Sequence, residues 1–494
     1  MLSGIIGTAS TAIRNDGSNI GIGTDAQFAD AGSVNNIAIG ADALDSTTDD
    51  AIGNVAIGRN ALTGITTGIS NTAVGYNVGI GLSAHPNSYN TILGNQTLSN
   101  ASAQITGATA IGYQAMTGDL TTGANYTVAI GYEALNALTS GSNSIAIGYQ
   151  AGKYITTSLR NTAIGYASVS AAAAGNDNTC VGYQSGAAMN ASATGNTLMG
   201  KDAGVSILDG LKNSFFGSDC GDATDDGSYN VAMGYRALSA NCGNENTALG
   251  FQAGIVATGT AGTYVGAQAG ELIEGSTGNT AVGYQALGNA IADSYNVGVG
   301  YQAGAAITGG NNVCIGTQAG DSITSGGQNV AIGRGSDCVA DAANQVAIGD
   351  SVVTNAASQV RIGNSSYYVS LDASQASQNF VATSDVRIKK DIENTDLGLN
   401  FIKLLRPVKY REKPTSEFPK EFKVKDPSDK TVDIIHDGLI AQEVKEAADS
   451  LNSTFSGWSE DADTRQMLDY GKIVMPLIKA VQELAQQIED LKKG

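Results

Sequence analysis

Histidine is almost absent from this chain: His85 and His436 are the only two in 494 residues, too few and too far apart in sequence to suggest a zinc site. Cysteine is nearly as scarce. Cys180, Cys220, Cys242, Cys314 and Cys338 form no CxxC pair, and Cys180 and Cys314 stand where neighbouring stretches carry alanine. They read as small core fillers, not as a disulfide or metal framework. No window reaches the ~18 apolar residues of a membrane span. Met1-Leu2-Ser3-Gly4-Ile5-Ile6-Gly7 lacks the basic start and long apolar stretch of a secretory signal. The expectation is a soluble protein made without Sec export and without membrane insertion. Positive charge is also short: 27 Lys and Arg face 46 Asp and Glu, a net −19. That balance repels phosphate backbones and anionic lipid, so nucleic acid is not an expected partner. No GxSxG, P-loop or Rossmann context occurs, and no cofactor or metal is expected.

Proline and glycine divide the chain in two. Of 6 prolines only Pro86 precedes residue 371, whereas all but 5 of the 64 glycines do. Residues 1–370 hold 9 basic and 24 acidic side chains, and the remainder 18 and 22. A long acidic, glycine-rich region therefore precedes a smaller region of mixed charge. The boundaries expected are a repetitive shaft with a short N-terminal attachment segment over 1–365, a connector over 366–383 and a C-terminal domain over 384–494.

What fills the first region is one phrase, a short apolar stretch closing on glycine, as in Asn161-Thr162-Ala163-Ile164-Gly165-Tyr166. The closing glycines run from Gly23, Gly40, Gly58 and Gly75 to Gly333, Gly349 and Gly363, roughly 17 residues apart, a period that signals a solenoid. In Asn54-Val55-Ala56-Ile57-Gly58, Val55 and Ile57 share one face and Ala56 the other, the alternation of a short strand. Asn four residues before the glycine (Asn36, Asn71, Asn90, Asn161) tolerates left-handed backbone and can bond to its own turn, so each strand is bracketed by corners. If each copy is one coil rising ~4.8 Å, the shaft is on the order of 100 Å long. A coil this small encloses little volume, with small inner residues (Ala, Val, Ile). Three chains are therefore expected to bury the remaining apolar face together, as a homotrimer.

This wording resembles the head repeat of trimeric autotransporter adhesins, which builds a β-roll inside a trimer, and the repeat of phage tail fibres. The resemblance covers about residues 5–365. After the glycine the phrase often continues Tyr-Gln-Ala, as at Tyr149-Gln150-Ala151 and Tyr301-Gln302-Ala303. Tyrosine at a fixed offset predicts an aromatic column, which either stacks on sugar rings or holds the coils together. Asp49-Asp50 and Asp225-Asp226 are either calcium ligands or solvated loop charges.

The C-terminal region carries four ordered landmarks: Ser384-Asp385-Val386-Arg387-Ile388-Lys389-Lys390-Asp391-Ile392, Leu404-Leu405-Arg406-Pro407-Val408-Lys409-Tyr410, His436-Asp437-Gly438-Leu439-Ile440-Ala441-Gln442-Glu443-Val444, and Asp469-Tyr470 leading into a helix. Together they resemble the intramolecular chaperone domain at the end of phage endosialidases, tail spikes and fibres. The resemblance implies a domain that trimerises the preceding β-structure and, in many members, cuts itself off with a serine–lysine dyad. Carried over, it makes Ser384 the nucleophile, Lys389 the base and Thr383–Ser384 the scissile bond. Asp385 would orient the dyad or bond the loop, and His436 would support folding or cleavage. A lysine can take the serine proton if partial burial or nearby cations lower its pKa. The alternative is an uncleaved chain in which Ser384 caps a turn and Lys389 is solvated.

Tyr470, Val474, Leu477, Val481, Leu484, Ile488 and Leu491 alternate spacings of four and three, a heptad seam. Pro476 fits only if the stable helix begins near it. The fold class expected is mainly β: a trimeric β-helix or β-roll shaft with a C-terminal α+β chaperone domain ending in a coiled-coil helix. The function expected is that of a phage tail-fibre protein attaching to a host surface, located in the virion and assembled in the host cytoplasm. Its partners would be other virion tail or baseplate proteins and a host polysaccharide or protein receptor. Alternatives are a tailspike enzyme degrading surface polysaccharide and a bacterial trimeric surface adhesin. Any enzymatic activity of the fibre would be at most a single self-cleavage.

Overall fold

A computed structural model describes residues 12–15, 18–26, 32–47, 50–82, 86–121, 123–171, 174–289, 293–372, 381–382, 386, 389–414, 417–419, 435–461 and 464–493. The chain divides into two compact units, Met1–Thr383 and Ser384–Gly494.

The first unit is a β-solenoid. Three-residue strands stack in parallel and in register, so that Ala38 lies on Ala56 and Ala56 on Ala73, while Ile39 lies on Ile57 and Ile57 on Val74. At its two ends the pairing turns antiparallel: Ala12–Asn15 lies against Ile20–Gly23, and Tyr368–Asp372 against Gln359–Asn364. An antiparallel partner covers the exposed row of peptide groups that a terminal strand would otherwise present.

The strand phrase is used differently from expectation in one respect. The middle residue faces inward: Ala56, Ala163 and Ala281 are fully buried, as are Cys180 and Cys314 in the same position. Val55 and Ile57 face outward, Ile57 being 36% exposed. Alanine is the usual residue at this inner position, with Ile92, Leu198, Phe215 and Tyr264 the larger, equally buried occupants. Other large inner residues come from the arc after the glycine, such as Leu62, Ile65, Leu135 and Ile155, all fully buried.

The closing glycine is fixed by the coil above. Gly58 has φ 126°, and a Cβ there would lie 2.1 Å from the carbonyl oxygen of Gly75. No side chain fits at that separation.

The asparagine is a second correction. It does not take the left-handed corner; the residue before it does, as in Asn35, Ser70, Tyr89 and Asp177 with φ 57–62°. The asparagine is buried and bonds to the neighbouring coil. The backbone N–H and Nδ2 of Asn54 both donate to Asn36 Oδ1, at 2.8 and 3.0 Å, and Nδ2 donates again to the Gly68 carbonyl at 2.7 Å. A buried amide with every polar atom paired stabilises a stack that an unpaired one would weaken.

The tyrosine column is present. Tyr113, Tyr132, Tyr149, Tyr166 and Tyr183 stack with centroids 5.0–5.2 Å apart. All five cysteines are free and buried. Burial pushes the Cys242 and Cys338 thiols up to about 11, so they are un-ionised near neutrality.

The second unit is a small α+β assembly. Helix α1 (Leu399–Leu404), α2 (Ala441–Ser450) and α3 (Val474–Lys493) accompany two short hairpins. Its core is Leu397, Phe401, Val444, Ala447, Ala448 and Phe455. Pro476 sits in the first turn of α3, where its missing N–H costs no helical bond.

Candidate functional site

Three of the four C-terminal landmarks converge. Val408–Tyr410 pairs antiparallel with His436–Gly438, setting Tyr410 opposite His436, and their rings stack at 5.4 Å. Tyr470 reaches the same place from the start of the last helical segment: its Oη accepts the Leu439 backbone N–H at 2.8 Å. Gly438 makes room for both rings, since a Cβ there would lie 2.7 Å from Tyr470 Oη and 3.0 Å from Tyr410 Cε1. The glycine of His-Asp-Gly is therefore a packing requirement.

Asp469 orders the approach to this cluster. Its Oδ1 accepts the Gly471 N–H at 2.9 Å, and its own N–H donates to the Gly457 carbonyl at 2.7 Å. On the other flank Arg406 grips Glu443 of α2 with two guanidinium nitrogens, Nε lying 3.1 Å from Oε2. The Arg406 guanidinium holds the Glu443 carboxyl below the usual range. Glu483 of α3 accepts the Leu399 N–H at 2.7 Å, capping the N-terminus of α1 from another helix.

Of the residues expected at the cleavage site, Thr383, Ser384 and Asp385 lie outside the described residues. Lys389 is exposed, and its backbone N–H donates to the Val386 carbonyl at 3.1 Å, closing a turn. His436 is half-buried in the cluster with Tyr410. Sequence reasoning named Tyr470 for the helix seam, and Arg406 and Glu443 each within a landmark without joining them, because their contact spans 37 residues. It missed Glu483, whose role is carried by a contact across 84 residues that no local pattern announces.

Among the described residues no three His, Cys, Asp or Glu side chains gather into a metal-binding group, and no helix is long and apolar enough to cross a membrane. Residues 384–452 match the model of a protein family described as chaperone of endosialidase. The matched segment runs from the Ser-Asp landmark through α1, the His436 hairpin and α2. No curated protein and no solved structure matches the chain significantly.

Proposed function

We propose that the chain is a homotrimeric tail-fibre protein of a phage virion, with a solenoid shaft that contacts the host surface and a C-terminal unit that gathers three chains. The observation that carries this reading is the seam on α3. Val474, Leu477, Val481, Leu484, Ile488 and Leu491, with Tyr470 before them, are each between 42% and 81% exposed in the single chain. An apolar heptad stripe is stable in water when partner helices cover it. The shaft adds a parallel argument, because its outward strand residues, such as Ile57, Leu93, Met199, Met233 and Ile315, form an exposed apolar row along many coils. The number three rests on the likeness of residues 384–452 to the endosialidase chaperone, a domain associated with trimerisation.

A rod of near-identical coils needs such help. Long ladders of non-local strands fold slowly, and a slipped register is nearly as well packed as the right one. A domain that assembles first sets the alignment from one end. Cleavage between Thr383 and Ser384 would then make assembly irreversible. In this reading Ser384 Oγ attacks the Thr383 carbonyl, Lys389 takes the hydroxyl proton, and the C–N bond breaks as the Ser384 amine is protonated. Water then hydrolyses the resulting ester.

The test is sedimentation of the purified full-length protein beside a denaturing gel of wild type, Ser384→Ala and Lys389→Ala. Trimeric mass with a 384–494 fragment from wild type alone supports both assembly and cleavage. A folded monomer removes the trimer, and an intact wild-type chain removes the protease while leaving the assembly role.

A further inference from the structure

We propose that three successive coils of the shaft carry a binding site for a neutral oligosaccharide. Asp293, Tyr295, Asn311 and Gln328 surround an open concavity of about 500 Å³ floored by Gly309, Gly310 and Gly327. The site deepens the reading of the shaft as the surface-contacting region and rests on it.

Its geometry comes from the coil. Tyr295, Asn311 and Gln328 each occupy the corner immediately before a buried asparagine, and all three have left-handed backbone, φ 66°, 61° and 60°. The same corner recurs along the shaft, as at Tyr229 and Glu245, so the coil repeat sets these three side chains one above another. One face of the Tyr295 ring lies over the preceding coil, where a Cβ on Gly278 would come 2.8 Å from Tyr295 Cδ1. The residue is nonetheless 60% exposed, so its other face is open to stack on the C–H face of a sugar ring.

The polar groups sort by availability. Ser294 Oγ accepts the Thr277 N–H at 3.0 Å, and Ser325 Oγ donates to Asp341 at 2.9 Å, so both hydroxyls are engaged. Asp293, Asn311 and Gln328 are exposed, and their side chains make no hydrogen bond with the described residues. A carboxylate and two amides supply acceptors and donors side by side, the complement of adjacent hydroxyls that both donate and accept.

The same residues exclude other ligands. Among the described residues no lysine or arginine lines the concavity, and residues 1–370 carry 9 basic against 24 acidic side chains, so phosphates, sulfates and acidic sugars are repelled. An extended peptide would need free strand-edge groups. Here the Asn311 N–H already donates to Ser294 and the Gln328 N–H to Gly310, at 3.2 and 3.1 Å.

Saturation-transfer NMR on the full-length protein tests the site, with cellohexaose, maltohexaose and chitohexaose as neutral probes and a galacturonate hexamer as the acidic one. Transfer to at least one neutral probe is expected, falling tenfold or more in Tyr295→Gly and Gln328→Gly. Glycine already occupies this corner at Gly195 and Gly278, so these variants keep the coil. Tyr126→Gly, at the same corner elsewhere, should leave the signal unchanged. Absence of transfer from all neutral probes, transfer that survives both substitutions, or equal transfer to the acidic probe overturns the proposal. A trimeric protein with no transfer removes this site alone, whereas a monomer by sedimentation removes the assembly reading.

Discussion

Tyr264 occupies the solenoid interior only because Gly270 leaves space for it: a Cβ on Gly270 would lie 2.3 Å from Tyr264 Cδ1. Gly254 and Gly262 flank the same ring, with hypothetical Cβ contacts of 2.7 and 2.3 Å. Most coils place alanine at this inner strand position. One coil thus exchanges small for large and its neighbours large for nothing, keeping density constant. Tyr264→Ala should cost about 3–5 kcal/mol through the cavity it leaves, and Gly270→Ala about 1–3 kcal/mol through overpacking. Tyr264→Phe should change stability little. Denaturant unfolding of the three variants checks the order.

The closing glycines should be far less replaceable than corner glycines. Gly165 has φ 132°, and a Cβ there would sit 2.2 Å from the Gly182 carbonyl oxygen, whereas Gly275 has φ 68° and nothing within 4 Å. Gly275→Ala should cost about 1–2 kcal/mol for the left-handed backbone alone. Gly165→Ala must also force adjacent coils away from each other, and a loss of more than about 4 kcal/mol is expected. Equal melting temperatures for these variants would show that the coils yield more easily than their packing suggests.

The asparagine ladder predicts a different kind of loss. Asn196 Oδ1 accepts the backbone N–H and the Nδ2 of Asn213, at 2.9 and 3.2 Å, and its own Nδ2 donates to the Gly210 carbonyl at 2.9 Å. Asn196→Ala removes the partners of the Asn213 backbone N–H and of the Gly210 carbonyl, both on the following coil, at about 1–3 kcal/mol for each buried group left unpaired. Hydrogen exchange at the Asn213 amide should rise well above that of the Asn312 amide, whose acceptor Asn296 is unchanged.

Much of the shaft is legible in the sequence, and for a physical reason. Each coil repeats the same constraints, so Gly58 and Gly75 report one close approach many times, and the Tyr149 column follows from a constant offset. Position within the coil was harder to read. Alternation in Val55-Ala56-Ile57 separates two faces without saying which is inside, and Asn54 looks like a turn residue whether its amide bonds locally or to the next coil. Leu62 and Ile65 went unnoticed because the arcs that carry them vary in length and lack strand periodicity. The C-terminal unit occurs once, so nothing averages. Its landmarks flagged His436 and Tyr470, but the Tyr470–Leu439 bond spans 31 residues and the Arg406–Glu443 pair 37.

Tyr470 and Gly438 should respond in opposite proportion to the chemistry removed. Tyr470→Phe deletes the hydroxyl that accepts the Leu439 N–H and donates, at 3.4 Å, to the Leu439 carbonyl at a half-exposed site, and about 1 kcal/mol is expected. Gly438→Ala deletes nothing, yet its methyl would meet Tyr470 Oη at 2.7 Å and the Tyr410 ring at 3.0 Å. The smaller change is therefore expected to be the more damaging, costing about 1–3 kcal/mol. The fraction of full-length protein assembled at 37 °C reads both, and a Gly438→Ala protein that assembles better than Tyr470→Phe contradicts the packing.

Asp337 gives the shaft one carboxylate that works against it at neutral pH. Burial pushes its pKa up to about 6, and the nearby Asp321 charge adds to the rise. Its oxygens accept the Cys338 and Ser322 N–H groups, at 2.8 and 3.2 Å, which favour the ionised form without cancelling the burial. Because the folded value lies above the ordinary 3.8, the folded state binds the proton more tightly than the unfolded chain. Taken by itself, this residue therefore adds stability as pH falls through 6 toward 4, and Asp45, also pushed up by burial, acts in the same direction. Glu133 and Asp177, held below their usual range by Lys153 and Arg160, act in the opposite direction over lower pH. Wild-type stability mixes these effects, so the informative quantity is a difference. The melting temperature of Asp337→Asn minus that of wild type should be largest near pH 7.5 and should shrink by pH 4.5. A difference constant across that range would mean that Asp337 is ionised in the folded coil throughout.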